Sequence, residues 1–435
     1  MTVDLSIIIP IYNSQKYLKK CLDSVCHEIK KNNKNIEVIL IDDASADNSK
    51  KICRIYKKKF TFIKYIYSKK NLGVSVSRNK GIKKSKGNYI LFLDSDDQLS
   101  SNSINYILNV IVNSSIDYYF IKSRLLNQKN IDHNEVFVKN FKYRSFFSHI
   151  RNLNKFRATC WNFLIKKSFI TKHKIYFDNI RVFEDQIFVA KILFFSKNFT
   201  ILNKPIYERR IHEPYSLSSV IGHTVVVSSI KILTSLLRIL IRNESKHDKF
   251  EKFLVSRVNF VINQLLLNVT ICSDGQIKKT ANHINFLRKI YYKISITKKD
   301  SNINRSLKII KNIIKKNFLL KYKNEKLSLL KNFTKKFKYK KIIIFCGGSY
   351  AKVSLKLIKN FKIKVLYVVD NNKNFLNKKI ENNIIKNINY LKKYIKIGNA
   401  NDILVCNQNY ADFFNIKRDL LKIGIKKYNI YHFKI

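Results

Sequence analysis

The sequence predicts an α/β fold built on a mostly parallel sheet, and three observations carry that reading. Short β-branched runs alternate with segments of helical periodicity through the first hundred residues. Polar clusters follow the first, second and fourth of those runs, where a parallel sheet gathers its ligands. The same alternation then returns near the C-terminus, after a long helical stretch.

Leu5–Ile9 is a continuous apolar run that ends at Pro10, and Ser14–Ile29 places Tyr17, Leu18, Cys21, Leu22 and Val25 at helical spacing. Ile36–Ile41 is a second buried strand ending in Asp42-Asp43, followed by a turn over Ala44–Asn48 and a helix over Ser49–Lys59. Phe62–Tyr67 makes a third strand. A loop at Asn71–Ser75 leads into a helix to about Lys84, Gly87 turns the chain, and Tyr89–Leu93 is a fourth strand stopping at Asp94. Strands alternating with helices imply a parallel sheet covered on both faces. From about Ser100 to Tyr207 the signals continue less regularly, as expected of a half-domain that completes the sheet and receives a second substrate. Gly222–Lys335 reads as mainly helical and Lys-rich.

The C-terminal pattern is strand Ile342–Phe345, turn Cys346–Tyr350, helix Ala351–Asn360, strand Val365–Val369 ending in Asp370, strand Ile403–Val405 and helix Phe413–Leu421. That reads as a small Rossmann-like unit. Its turn, Cys346-Gly347-Gly348-Ser349, has cysteine where a dinucleotide fingerprint begins with glycine, so the unit is expected to serve packing or docking rather than nucleotide binding.

Composition narrows the function classes. The 435 residues carry 85 Lys and Arg against 29 Asp and Glu, a formal net charge of +56. Such a balance attracts polyanions or an anionic membrane surface. Pro (3), Gly (9), Trp (1) and Met (1) are scarce while Lys, Asn and Ile abound, the bias of an AT-rich coding sequence. The lysines are also interleaved with apolar residues rather than gathered into a nucleic-acid module, so no specific nucleic-acid partner is expected. Seven cysteines without close metal-type pairs read as reduced, mostly buried thiols of a cytoplasmic protein. Met1–Asp4 runs straight into a strand, so no secretory leader is expected. The stretches Val225–Ile241, interrupted by Lys231 and Arg238, and Phe260–Cys272 are not expected to span a bilayer.

The strongest chemical signal is Asp94-Ser95-Asp96 at the end of the fourth strand. Two carboxylates one residue apart on a strand face the same side and can share a hard divalent cation that also holds a diphosphate. Pro10-Ile11-Tyr12-Asn13 offers an aromatic ring to stack on a base, and Asp43 a carboxylate for base or ribose. Asn71-Leu72-Gly73 and Arg78-Asn79-Lys80-Gly81 supply a loop and a cation for phosphate. A later pair, Glu184-Asp185, precedes an apolar helical run. Either acid could take a proton from an attacking hydroxyl, or simply cap the helix.

Together these motifs resemble family 2 glycosyltransferases of the GT-A (nucleotide-diphospho-sugar transferase) fold, closely over Val3–Leu99 and more loosely over Trp161–Ser218. The resemblance implies a GT-A domain over 1–220, a mainly helical region over 221–337 and the Rossmann-like domain over 338–435. It implies that Pro10, Tyr12, Asp43, Arg78, Asp94 and Ser95 bind a UDP-sugar, Tyr12 and Asp43 at the uracil. Asp94 and Asp96 would hold Mn²⁺ or Mg²⁺, and Asp185 would be the base of an inverting transfer with Glu184 beside it. Arg210 and His212 fall where the family closes a basic segment over the diphosphate, and Trp161 where it lines the acceptor pocket. The implied acceptor is a glycan or glycolipid of the bacterial surface, reached from the cytoplasm, with adhesion to the anionic inner face of the membrane. Ala44 stands where glycine is usual, a change accommodated if φ there stays negative. Two rivals from other classes are a nucleotidyltransferase, against which Pro10–Asn13 stands in place of a Gly-rich basic loop, and a basic nucleic-acid-binding protein.

Overall fold

The computed structural model describes residues 3–32, 35–126, 131–132, 146–150, 156–210, 220–242, 248–297, 304–315, 317–334, 341–345, 348–359, 364–369, 379–380, 383–386, 402–406, 420–421 and 430–433. The chain divides into two compact units: Met1–Ile211 with Ile232–Phe260 and Lys293–Asn304, and His212–Lys231 with Val261–Tyr292 and Arg305–Ile435.

The first unit opens with β1 (Leu5–Ile11), α1 (Gln15–Asn32), β2 (Ile36–Asp42), α2 (Ser49–Lys59), β3 (Ile63–Tyr67), α3 (Val74–Lys84) and β4 (Tyr89–Phe92), within a residue or two of the sequence expectation except at the C-terminal end of α1. β5 (Gln98–Leu99), α4 (Ser103–Ile111), β6 (Tyr118–Leu125), β7 (Ile131–Asp132), β8 (Phe163–Lys166), α5 (Lys167–Lys172), α6 (Asp185–Phe195) and β9 (Phe199–Arg209) follow. The sheet runs β3-β2-β1-β4-β8-β6-β9-β5, with β7 on β6. From β3 to β4 every pairing is parallel, as predicted. Beyond β4 the sheet is mixed: β8 runs antiparallel to β4 and β6, and β5 antiparallel to β9, while β6 and β9 are parallel. The expectation of a mostly parallel sheet is therefore corrected for this half.

The parallel half is dry. All seven residues of β1 and all seven of β2 are buried, which is why these strands read as continuous apolar runs rather than as alternating ones. α3 lies so close to β1 that a Cβ on Gly81 would come 2.4 Å from Ile8 Cγ2, so a side chain there would force a shift of backbone or neighbour.

The loops after β1 and β2 are sewn to each other. Asn13 N donates to Ser45 Oγ (3.0 Å) and Ala46 N to Asn13 Oδ1 (2.8 Å). Gln15 N donates to Asp47 Oδ2 (2.9 Å) and Asn48 N to Gln15 Oε1 (3.0 Å). Ala44 lies at φ +63°, in the left-handed region, so the condition that φ stay negative is not met. The usual glycine would relieve that position.

The second unit shares α7 (His223–Arg242), α8 (Asp248–Val269) and α10 (Ala281–Thr297) with the first, and adds α9 (Asp274–Lys278), α11 (Asn304–Ile313) and α12 (Phe318–Thr334). Its sheet comprises β10 (Lys341–Phe345), β11 (Lys364–Val369), β12 (Lys379–Ile380), β13 (Asn383–Lys386), β14 (Asp402–Cys406) and β15 (Ile430–Phe433), with α13 (Gly348–Lys359) between β10 and β11. The order β12-β13-β11-β10-β14-β15 is parallel except at β12, and strand order reverses at β10. Cys346, Gly347 and Asp370 lie outside the described residues, as does the expected closing helix up to residue 419. Cys21, Cys26, Cys53, Cys160 and Cys272 are unbonded and buried.

Among the described residues, α7 is one helix long and apolar enough to cross a membrane, despite Lys231 and Arg238. Yet 67% of its most apolar stretch is buried within the protein, as in a core helix.

Ala44→Gly is expected to raise stability by about 0.5–1 kcal/mol, the left-handed penalty of about 1–2 kcal/mol being partly offset by the greater freedom of an unfolded glycine. A urea midpoint that stays put or falls, at unchanged m-value, would contradict this.

Candidate active site

The motifs meet at the carboxyl edge of the first unit's sheet. β4 ends at Phe92, so Asp94–Asp97 form a turn closed by Asp97 N on the Asp94 carbonyl (3.0 Å). The two-residue periodicity of a strand therefore does not align Asp94 and Asp96, and the turn does the placing. Ser95 Oγ meets Ser14 Oγ at 2.6 Å, tying this turn to the loop after β1. The Asp96 carbonyl accepts from Arg210 Nε at 3.0 Å.

Asp97, which the sequence reading passes over, is buried and accepts from the Tyr207 hydroxyl and from Arg210 N, both at 2.6 Å. Burial and then the charges of Asp96 and Asp94 push its pKa well above the usual carboxylate range. The Tyr207 oxygen also accepts from Asp94 N (3.1 Å), so one phenol links the end of β9 to the start of the acidic turn. Trp161, expected at the acceptor pocket, is buried with its ring stacked on Tyr207 at 4.4 Å and 15°. The Arg210 guanidinium lies 4.1 Å above the Tyr17 ring, while His212 is outside the described residues.

Arg78 is the centre of the arrangement. It is 3% exposed, and its Nη2 donates to Asp94 (2.8 Å) and its Nη1 to Glu184 (2.5 Å) and Asp185 (3.3 Å). Its Cζ lies 5.3 Å from the centroid of the Phe177 ring, and its buried Nε has no hydrogen-bond partner. Burial works against the cation, yet Cys160, Asp185, Asp94 and Glu184 hold its pKa well above the ordinary value. The expected phosphate cation is thus a clamp on three carboxylates.

Glu184 occupies the N-cap position of α6 but makes no capping bond, because its side chain turns to Arg78. Phe183, just before it, has φ +61°, a strained setting for an aromatic residue, and its ring packs edge-on to Phe260 at 5.5 Å. The segment is also laced to α3 and its preceding loop. Ser75 Oγ donates to the Ile180 carbonyl (2.7 Å), Asn79 exchanges two bonds with Phe177 (2.8 and 2.9 Å), and Arg181 reaches Asn71 Oδ1 (2.7 Å). Asp185 opens α6 with its side chain 15% exposed. Burial first, then Glu184 and Asp94, push its pKa up to about 7 against the lowering effects of Arg78 and a hydrogen bond from Cys160. A carboxyl so poised can exchange a proton near neutrality.

On the donor side Tyr12 is 52% exposed at the edge of the sheet. Asp43 is buried, with Leu72 N on one oxygen (2.9 Å) and Gly73 N on the other (2.7 Å). It braces the loop at Gly73, whose φ of +94° needs glycine. Pro10 is buried in β1. Among the described residues no group of three or more His, Cys, Asp or Glu forms a ready metal cage. Asp94 and Asp96 offer hard oxygen donors, which fit a cation that takes one or two carboxylates and completes its shell with phosphate oxygens and water.

Residues 6–173 match glycosyl transferase family 2. The chain is 31% identical over 225 residues to the glycosyltransferase GlyA of Streptococcus pneumoniae, covering 49% of this chain and 32% of that one. It is 32% identical over 199 residues to the poly(ribitol-phosphate) beta-N-acetylglucosaminyltransferase TarP of Staphylococcus aureus, covering 45% and 59%. The chain thus spans from about a third to somewhat under two-thirds of these relatives' length. The crystal structure of S. aureus TarS 1-349 in complex with UDP-GlcNAc superposes with a TM-score of 0.51 at 21% identity, over 67% of this chain and 82% of that one. The fold is GT-A.

Arg78→Ala should lower stability by about 3–5 kcal/mol, because it strands buried carboxylates without their cation. The loss should be largest above neutral pH and smallest in acid, where those carboxyls take up protons. A chemical-denaturation midpoint within error of wild type both in acid and above neutral pH would remove Arg78 from the centre of the site.

Proposed function

We propose, from the premise that this chain carries a glycosyl transferase family 2 domain, that it transfers a hexose or N-acetylhexosamine from a UDP-sugar to a hydroxyl of a bacterial surface glycan. The observation that carries the proposal is the buried guanidinium of Arg78. It binds the acidic turn after β4 and the acidic pair at the start of α6 into one constellation.

In this reading the acceptor hydroxyl loses its proton to Asp185 as its oxygen attacks the anomeric carbon. The bond from that carbon to the diphosphate oxygen breaks on the opposite face, and UDP leaves with the electron pair. One displacement inverts the configuration. The raised pKa of Asp185 supports the base role, since a base near 7 is strong enough to accept the proton and is ionised in a substantial fraction of molecules at neutral pH. Glu184 shares the clamp and keeps its partner oriented.

Tyr12 presents a ring to the uracil, and Asp43 acts on the base through the loop it braces as well as through its own oxygens. Pro10, Ser95 and Arg210 shape the diphosphate pocket around the turn. Asp94 and Asp96 would hold Mn²⁺ or Mg²⁺. When bound, such a cation neutralises the charge that builds on the departing diphosphate. The acceptor class is supported by the likeness to a poly(ribitol-phosphate) beta-N-acetylglucosaminyltransferase. A net charge of +56 supports work at an anionic membrane face.

Asp185→Asn should lower kcat by two orders of magnitude or more, roughly the worth of a general base, with donor affinity near wild type. In the wild type, kcat should climb as pH rises through about 7, because only the ionised carboxylate accepts the proton. A flat profile with a mutant of near-normal kcat would place the base elsewhere.

Asp96→Ala should leave the fold intact but abolish the gain in UDP affinity that Mn²⁺ brings, read by calorimetry with and without the cation. Equal affinities in mutant and wild type would exclude Asp96 as a ligand.

A further inference from the structure

The turn that carries Asp94 and Asp96 lies beyond the end of its strand. Leu93 N still donates to the Ile8 carbonyl of β1 (3.0 Å), so Asp94 N is the first amide past the ladder. Its partner is the Tyr207 hydroxyl at 3.1 Å, which takes the place that a neighbouring strand would fill. Downstream the chain returns to the same strand. Gln98 and Leu99 pair with Glu208 and Tyr207, and Ser100 N donates to the Ile206 carbonyl (2.8 Å). Both ends of the acidic turn are therefore tied to β9.

The phenol itself is fixed from two sides. Its proton goes to Asp97 Oδ2 and its ring stacks on Trp161. A hydroxyl has one proton, so with Asp97 as its acceptor and Asp94 N as its donor Tyr207 has none left to offer a ligand. At 0% exposure its side chain is also out of a ligand's reach. Tyr207 can influence the chemistry only through the turn.

Its aim comes from an irregularity in the strand. Between β6 and β9 a step of two residues, Ile121 to Ser123, is matched by a step of five, Leu202 to Tyr207. Pro205, which has no N–H for the ladder, lies within that step. Five residues along a regular strand would put Leu202 and Tyr207 on opposite faces, yet both are buried in one core cluster. The bulge is what brings the phenol to the side of Asp97 and Asp94.

We propose that Tyr207 is a positioning residue for the cation site: by fixing the backbone of the Asp94–Asp97 turn it sets where the Asp94 and Asp96 carboxylates are held, and so how tightly a divalent cation binds with the donor diphosphate. Trp161 supports the phenol as its stacking partner. The inference rests on the reading above that these two acids hold Mn²⁺ or Mg²⁺.

The test is calorimetry of UDP binding to the full chain, without Mn²⁺ and with Mn²⁺ below saturation. Tyr207→Phe keeps the ring on Trp161 and removes only the hydroxyl. Its metal-free UDP affinity should stay within about twofold of wild type, while the gain that Mn²⁺ brings should fall about tenfold, the worth of one hydrogen bond at a charged group. Raising Mn²⁺ about tenfold should restore that gain, because the ligands are misaligned rather than lost. Trp161→Phe, with a smaller ring against the phenol, should lose about threefold. Tyr119→Phe is the control: Tyr119 is also buried, and its hydroxyl donates to the Val110 carbonyl (2.6 Å) near the other end of β6. It should keep the whole gain.

The proposal is overturned if folded Tyr207→Phe keeps the whole Mn²⁺ gain, if added Mn²⁺ does not restore a lost one, or if Tyr119→Phe loses as much. Where Tyr207→Phe does not fold, Trp161→Phe decides, and a gain equal to wild type sinks the proposal. A wild type whose UDP affinity ignores Mn²⁺ overturns the cation reading and this proposal together. A wild type that responds, beside a Tyr207→Phe that responds equally, overturns the proposal alone.

Discussion

One buried guanidinium constrains the rest of this site. Moving a full charge out of water costs several kcal/mol, so Arg78 can sit at 3% exposure only if anions converge on it. They come from two places far apart in sequence: Asp94 from the turn after β4, and Glu184 and Asp185 from the start of α6. The helix α3 that carries Arg78 must therefore lie hard against β1, which is why Gly81 has no room for a side chain. The strands on which these elements ride are buried along their whole length, so the edge that presents the site is set by the sheet rather than by flexible loops.

The clamp also differentiates acids that look alike in sequence. Glu184 sits closest to the cation, whereas Asp185 is reached only at the longer distance, and its burial, with the charges of Glu184 and Asp94, outweighs the compensation from Arg78. Its proton affinity rises accordingly. Asp97 is raised by burial and by its neighbours too, but its oxygens are occupied by Tyr207 and Arg210. A raised carboxyl can thus be a base or a brace, and the hydrogen bonds it already makes decide which.

Much of the first unit was legible before any coordinates, because β1, β2 and β4 are fully buried strands and all four strands are separated by helices with strong periodicity. Asp94, Glu184 and Asp185 were legible as acids beside strand and helix ends. Their common partner was not, since nothing in the spacing of Arg78 says that it faces inward to carboxylates rather than outward to phosphate. Asp97 and Tyr207 were missed for the same reason: burial and a 2.6 Å contact between residues 110 apart leave no local pattern. The φ of Ala44 was not legible because it follows from the two loops sewn together around it, a tertiary constraint that the residue type alone does not encode.

Composition, which first looked like noise, separates structure from drift once burial is known. Lysine far outnumbers arginine in this chain, yet the buried cations among the described residues are Arg78 and Arg257, and no lysine joins them. A guanidinium offers five donors in a rigid fork and is more weakly hydrated than an ammonium, so it alone can be satisfied inside by several fixed oxygens. Arg78 uses that fork on three carboxylates, and Arg257 uses it on the Phe156 carbonyl beneath an aromatic cluster. Acids show the converse. Of only 29 in the chain, five fall at Asp94, Asp96, Asp97, Glu184 and Asp185, two short motifs that the fold brings to one edge. Where a genome presses toward lysine, a residue that resists the pressure has a physical reason to stay. At this edge the reason is a set of carboxylates, three of which converge on one arginine.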